Sequence, residues 1–510
     1  FKIFCQGGLN TSRDVLSQGE TAPGSAIKLT NYEPSVTGGY RKINGFSNDY
    51  GTVTGTGNVL GVCVANGIND GILACRTPSS GNNYLHKWNN STSSWDAVTT
   101  SGSPTMSGVS KVRFSRLNFG TAKVVLTDGI NPAATYDGST YTQITHSDAP
   151  TDPKFSAIFQ NHLFLAGDPA HPTKLYHSAP LAETDFASGN GAGVINVGFP
   201  IVAIKSFRNE LFIFGNTNIK KLSGTALANF AVQTVTDDLG CLATDSVIEI
   251  GGDLLFLSQD GLRPISGTDK IGDVNLETVS KDIQSVFTDV VFDIDLDGLN
   301  AVVIRGKTQF RYFFAAADTQ GVIGGFRQTP NGLQFEYGQL LGITATCADS
   351  GYIGQNEFVL HGDSTGKVYR QEKGNNFGGS DIFSAFQTPY LYMQDPEQRK
   401  IFYTIATYLR SEGDNEILMS AVYDYEDVNV LNPNDFTISN ENAAAYYNEA
   451  AYAAADATSG AVYDGSPAPI RRTNVSGSGK SISIRYVTND TKPSHSIQGL
   501  VITFGVGDRL

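Results

Sequence analysis

Methionine occurs 3 times and tryptophan twice in 510 residues, and charged side chains make up only 17% of the chain. No apolar run approaches the ~20 residues that a membrane-spanning helix needs. Cations are outnumbered, 36 Lys and Arg against 50 Asp and Glu, for a net charge of −14. With no basic stripe anywhere, the chain is unsuited to gripping nucleic acid by its phosphates. An acidic surface past which nucleic acid slides without sticking remains compatible. The five cysteines, Cys5, Cys63, Cys75, Cys241 and Cys347, are odd in number and scattered. They form no C-x-x-C pair and no disulfide framework, so they read as free buried thiols of a protein made in a reducing cytoplasm. No G-x-S-x-G elbow occurs. The histidines, at 86, 146, 162, 171, 177, 361 and 495, show no zinc-ligand spacing. No signal-like segment or initiating Met opens the sequence, which suggests that a few leading residues precede Phe1.

What is present is glycine, 55 residues, and 51 Phe plus Tyr (29 + 22). Glycine and aromatics with few charges describe many short strands joined by tight turns. At 510 residues the chain exceeds one ordinary core, so two or three domains, or a repeat with an addition, are expected. The stretch 246–268 sets the pattern. Val247, Ile248 and Ile250 precede Gly251-Gly252; Leu254 to Leu257 precede Asp260-Gly261; Leu262 to Ile265 then return. This reads strand, turn, strand, turn, strand, because Gly accepts positive φ without a Cβ clash. Such a meander cannot bury its faces alone. Similar groups recur at 59–99, 111–145, 154–180, 202–224, 300–338 and 344–374, several with an "LF(I/L)F" strand and a "KLY" or "KVY" return. Their spacing of roughly 40–60 residues matches propeller blades. Between them, 276–290 places Val279, Ile283, Val286 and Phe287 at helical spacing, so a short helix is expected after the fifth group. After Gly379 the alternating strands lengthen, as in a β-sandwich. The Ala- and Tyr-rich stretch 440–465 reads as helix or as a long surface loop.

Three motifs invite chemistry and read more plainly as turns. DIDLDG at 293–298 opens like a calcium loop, but its twelfth position is Ile304, where a bidentate Glu is needed. SGSGKS at 476–481 resembles the end of a phosphate-binding loop, yet Asn474 replaces the first glycine and a strand follows. Asp128, Asp137, Asp260 and Asp363 fall in turns, so no carboxylate pair for glycoside hydrolysis can be placed. No catalytic, cofactor-binding or metal-binding residue is therefore expected, and neither enzyme activity nor a cofactor.

Four segments carry a resemblance. NYEPSVTGGYRKINGF near the start is similar to an "N-x-x-P…G-G-x-R-x-x-x-G-F" opening. HLFLAGDPAHPTKLYHSAPLAETDFAS is similar to an "R-L-F…P…L-Y-x-S…P-x-D-F" segment. DDLGCLATDSVIEIGGDLLFLSQDGLRPISG resembles a "G-C…S-V…L-x-F-L-S-x-D-G-x-R" core, and SISIRYVTNDTKPSHSIQGLVITFGVGDR resembles closing strands of "S-I-x-I-x…I-x-G-x-x-I-x-x…G-x-R" type. Ordered end to end, they resemble the tail nozzle (tail tube B-like, or tail stabilisation) proteins of podovirus-type phages. One departure is that related chains carry repeated Trp-Gly pairs where this chain has 440–465.

The resemblance implies an all-β chain. An extended N-terminal arm and first strands (1–55) would precede an irregular β-propeller of about six to eight blades (56–378) and a C-terminal β-sandwich platform (379–510). It further implies a structural virion protein, assembled in the host bacterial cytoplasm and working in the phage tail. A homo-hexameric ring below the portal and adaptor would meet tail fibre or spike proteins, retain the genome and pass double-stranded DNA without sequence-specific binding. No membrane span is expected. The competing reading is a carbohydrate-binding or carbohydrate-cleaving propeller in a receptor-binding tail component, with aromatic loops such as Asn83–Trp95 stacking on sugars.

Overall fold

The strands begin where the turn glycines predict. In a computed structural model, 246–268 forms a three-stranded sheet of Ile248–Ile250, Asp253–Ser258 and Gly261–Pro264. Gly261 has φ of +117°, and a Cβ there would lie 2.3 Å from Ser280 Oγ, so turn and packing both demand glycine. The structure describes the chain apart from 36–37, 80–82, 105, 107, 269–277, 294–295, 315–319, 330–331, 394, 441–469 and 508–510. Most of 440–465, the stretch expected as helix or loop, lies outside the described residues.

Six small sheets stand in a ring, antiparallel except for the short edge strand Thr99–Thr100, which pairs in parallel with Thr140–Gln143. Their inner strands are Thr56–Val64, Arg113–Asn118, Phe155–Phe159, Ala203–Phe207, Ile248–Ile250 and Cys347–Ile353. One further wedge completes the circle. Its inner strand Asn300–Ile304 touches both Ile248–Ile250 and Cys347–Ile353, and belongs to a nine-stranded sheet. The chain is thus an all-β propeller, as the turn spacing predicts. Apolar layers between neighbouring sheets hold the ring. Phe164, Leu211 and Ile213 share one layer, and Phe214, Leu254 and Phe256 another. The expected helix follows the fifth group as Gln284–Asp293, with Ile283, Val286 and Phe287 buried.

The first fifty residues do not lie apart as an arm. Phe46–Ser47 pairs with Val368–Gln371 as the outer strand of the last propeller sheet, so Phe46 and Gln371, 325 positions apart (371 − 46), sit side by side and close the ring. Lys28–Thr30 enters the nine-stranded sheet between Gly332–Leu340 and Ile382–Gln387. That sheet therefore leaves the propeller and becomes one face of the sandwich through Ile482–Asp490, Asn415–Tyr423 and Phe436–Asn440. The facing sheet is built on His495–Val506 and Lys400–Ser411, with Lys2–Phe4, Tyr32–Pro34, Tyr40–Lys42, Ile470–Asn474 and Ser478–Gly479 around them. Ile405, Leu409, Ile497 and Ile502 from this sheet meet Phe386, Ile417, Met419 and Tyr486 from the other.

Where ring meets sandwich, charge is buried. Arg311 on strand Gln309–Phe313 is 0% exposed, and Glu33 on Tyr32–Pro34 is 2% exposed. Arg311 donates to Gln371 at 2.7 Å and pairs with Glu372. Lys307 bridges Glu33 at 2.6 Å and Glu372 at 2.5 Å, and Arg41 bridges Glu33 at 3.0 Å and Glu412 at 2.5 Å. Three cations thus meet three carboxylates. Burial favours a neutral Glu372, but Lys307 and Arg311 outweigh it and pull its carboxyl down to about 2.

Candidate functional site: the axial cavity

Residues of several inner strands line a cavity on the ring axis, and many of them are polar or charged. Lys111, Arg113 and Arg116 come from one strand and its approach; Lys205, Asp245, Glu249 and Asp349 come from three others. They surround a cavity of about 480 Å³, within the range of small-molecule sites. A second space of about 380 Å³ shares Lys111 and Arg113 and extends to Lys154 and Asp297.

Most of these charges hold one another. Arg113 donates to both oxygens of Asp245, at 3.0 and 2.8 Å, and Lys111 lies 2.7 Å from the same carboxylate. Burial opposes ionisation of Asp245, yet these two cations keep its carboxyl well below the usual range. Arg113 lies on the second sheet along the chain and Asp245 in the turn Thr244–Ser246 that leads into the fifth, so their pair crosses the axis. Arg116 pairs with Asp349 and donates to the Val64 carbonyl at 2.6 Å. Uncharged groups stitch neighbouring inner strands: Ser115 Oγ donates to the Ser156 carbonyl at 2.8 Å, and Thr244 to that of Val202 at 2.8 Å. Lys205 projects into the same space, where burial lowers its ammonium pKa and Glu249 opposes the shift. The cavity is a charge-braced hub, with ion pairs spanning it.

The residues singled out from sequence take structural places. Asp128 accepts from the N–H groups of Ile130 and Asn131; Asp137 accepts from Ser139 and Thr140; Asp363 accepts from Thr365 and Lys367. Asp260 pairs with Arg263. At 293–298 the described end is a turn, in which Asp297 pairs with Lys154 at 3.1 Å. At 476–481 the N–H groups of Lys480 and Ser481 point at Asp424 Oδ1, 2.7 and 2.8 Å away, so a carboxylate of the chain fills the would-be phosphate cradle. Trp88 and Trp95 are buried against Tyr50, with Trp95 Nε1 donating to the Tyr50 carbonyl at 2.7 Å. Neither indole is free to stack on a sugar. The five cysteines are free and buried, and burial pushes the Cys5, Cys63 and Cys347 thiols up to about 12.

Two arrangements escaped the sequence. The axial charges lie on four separate sheets and the segments that lead into them, and the only hint was the polar character of KVRFSR, AIKSF and CADS. His162 and His177, on adjacent strands, have ring centroids 5.2 Å apart, and each Nδ1 faces the Ser178 carbonyl. Among the described residues no cluster of three or more His, Cys, Asp or Glu could hold a metal ion.

No family model matches this chain, and no curated protein matches it. Solved structures match distantly. The WD40 repeats of RRP9 match at 10% identity and TM-score 0.42, over 65% of this chain and 99% of theirs. An extracellular domain of a putative one component system from B. thetaiotaomicron matches at 13% identity and TM-score 0.39, over 66% of this chain and 41% of its own. This chain therefore spans less than half the length of that domain. An ancestral GH74 enzyme matches at 10% identity and TM-score 0.39, over 73% of this chain and 53% of its own. Likenesses this remote carry no functional argument. The propeller assignment rests on the sheet order.

Proposed function

We propose that this chain is a structural component of a short-tailed phage, a tail nozzle protein whose copies form a ring beneath the portal and adaptor. The ordered resemblance of its four motif segments carries the reading. The braced axis supports one refinement: DNA would pass through the lumen between copies, because ion pairs cross the axis within each propeller. The net charge of −14 favours a lumen from which phosphates are repelled. The continuous nine-stranded sheet and the buried charges at the junction give a stiff arm on which such a ring can be built. Its role is mechanical and electrostatic, without catalysis, in a virion assembled in the host bacterial cytoplasm. Tail fibre or spike proteins would be its outer neighbours.

The second reading, a carbohydrate-binding propeller, draws on the size of the axial cavity and on Lys205 and Glu249 facing one another within it. Mass photometry and negative-stain imaging of the purified chain, alone and with adaptor–portal complex, separate the two. A ring with an axial hole is the expected result. A persistent monomer that ignores the complex but binds a glycan array would overturn the nozzle reading.

A further inference from the structure

The loop between Asn415–Tyr423 and Phe436–Asn440 carries the most exposed apolar side chains among the described residues: Val428 is 97% and Leu431 is 90% exposed. Single surface aliphatics are ordinary. This loop differs because its backbone is strained and held. Asp424, Tyr425 and Glu426 follow one another at φ of +47°, +60° and +63°, a left-handed turn that side chains resist. Asp424 is tied to the Lys480 and Ser481 N–H groups, and Tyr425 lies on Tyr390 with centroids 4.2 Å apart. Asn432 Oδ1 accepts the Tyr423 N–H at 2.8 Å. Val430 packs inward while Val428 and Leu431 face water. Glu426 and Asp427 precede them, so the tip is apolar and acidic.

The outer face of the facing sandwich sheet has the opposite character. Tyr408 pairs with Ile470 on one side and Gly499 on the other, and Gly499 pairs with Phe4. Because Gly499 has no side chain, a shallow trough separates the exposed rings of Tyr408 and Phe4. Two residues along on the same face, Ala406 and Val501 are flanked by Arg472 at one end and Lys2 at the other. Both cations are exposed, and neither is in an ion pair among the described residues.

We propose that the 424–435 loop of one copy docks on this trough of a second copy. Val428 and Leu431 lie against the Tyr408 and Phe4 rings, and Glu426 and Asp427 face Arg472 and Lys2. Because the two surfaces differ, the contact is heterologous, and each copy keeps one tip and one trough free for the next, as ring closure requires. The inference deepens the ring reading and rests on it.

Cysteine cross-linking tests it cleanly, since the native thiols are all buried. Full-length Val428→Cys and Tyr408→Cys chains are prepared separately, mixed, and treated with a short bismaleimide. A cross-linked dimer at least about tenfold more abundant in the mixture than in either variant alone is expected. Equal cross-linking by Val428→Cys alone means a tip-to-tip contact and overturns the proposal. Rings in the wild type with no cross-link in the mixture overturn this interface and leave the ring reading intact. A wild type that stays monomeric even on the adaptor–portal complex removes both. As a second arm, Glu426→Lys with Asp427→Lys weakens wild-type self-association at least about tenfold, and Lys2→Glu with Arg472→Glu in the partner copy restores it. Failure of that restoration, with circular dichroism unchanged, also overturns the proposal.

Discussion

The axial cavity and the ring–sandwich junction are built from the same side chains under different solvation. On the axis Arg116 is 47% exposed and Asp245 24%, with Lys111 and Arg113 more deeply placed at 14% and 12%; at the junction the central pair is fully enclosed, Arg311 at 0% and Glu33 at 2%. Exposed pairs exchange one set of hydrogen bonds for another and contribute little. Buried pairs have already lost their water, so each partner depends on the others. At the junction, Glu33 Oε2 and Arg311 Nε have no hydrogen-bond partner among the described residues, and Glu33 Oε2 is held only by Arg311 Nη2 at 3.7 Å. The axis can therefore lose a charge and rehydrate, whereas the junction cannot. That difference places the molecule's rigidity where ring and sandwich join and leaves the hub tolerant.

The sharpest way to break this comparison is Arg311→Met. It leaves Glu33 and Glu372 buried without their central cation and should cost about 3–5 kcal/mol in urea unfolding. A loss below about 1 kcal/mol would mean that water reaches the junction.

Acid comes next. Burial pushes His361 and His495 down to about 3, against opposition from Asp363 for His361, and with Lys42 and Arg41 reinforcing it for His495. A folded-state pKa below the ordinary 6.5 means that stability is complete above pH 6.5 and is lost as pH falls toward 3. Glu372, down at about 2, adds a loss that begins only below about pH 4.5. Melting temperature recorded from pH 7 to pH 3 should fall in these two stages, the first being the larger because two buried rings contribute to it. A His495→Gln variant should flatten the first stage, and an unchanged profile would refute its origin in the buried rings.

The smallest effects lie on the axis. Asp245→Asn leaves Lys111 and Arg113 facing each other in a partly solvated space and should cost about 1–2 kcal/mol. Lys205→Met, which removes no hydrogen bond or salt bridge among the described residues, should stay within about 0.5 kcal/mol. Chemical denaturation of both variants beside Arg311→Met orders the three directly. An axis variant as damaging as Arg311→Met would erase the distinction between the two regions.

How much of this was legible follows from the range of each interaction. Apolar alternation and turn glycines act over a few residues, so the sheet 246–268, the helix at 284–293 and the long strands after residue 379 could all be read from their own segments. The turn carboxylates were readable for the same reason, since Asp137 and Asp363 bind N–H groups two to four residues on. The candidate site was not readable as a site. Arg113 and Asp245 are 132 positions apart, and nothing local to either strand says that the ring will bring them together. The docking tip was equally silent, because exposure and left-handed backbone at Asp424–Glu426 arise from contacts with Lys480, Ser481 and Tyr390.

By itself, then, the sequence determined the all-β character, the rhythm of short sheets and the absence of clustered cations. Tertiary structure alone decided that residues 1–50 would be shared between propeller and sandwich. Lys2–Phe4 pairs with Gly499–Val501 across almost the whole chain, and Phe46–Ser47 closes the ring by pairing with a strand whose Gln371 lies 325 residues (371 − 46) beyond Phe46. A strand carries no record of its partner beyond its own pattern of apolar and polar faces. Which edge it joins is settled only when the competing edges have formed and one remains open to its hydrogen bonds.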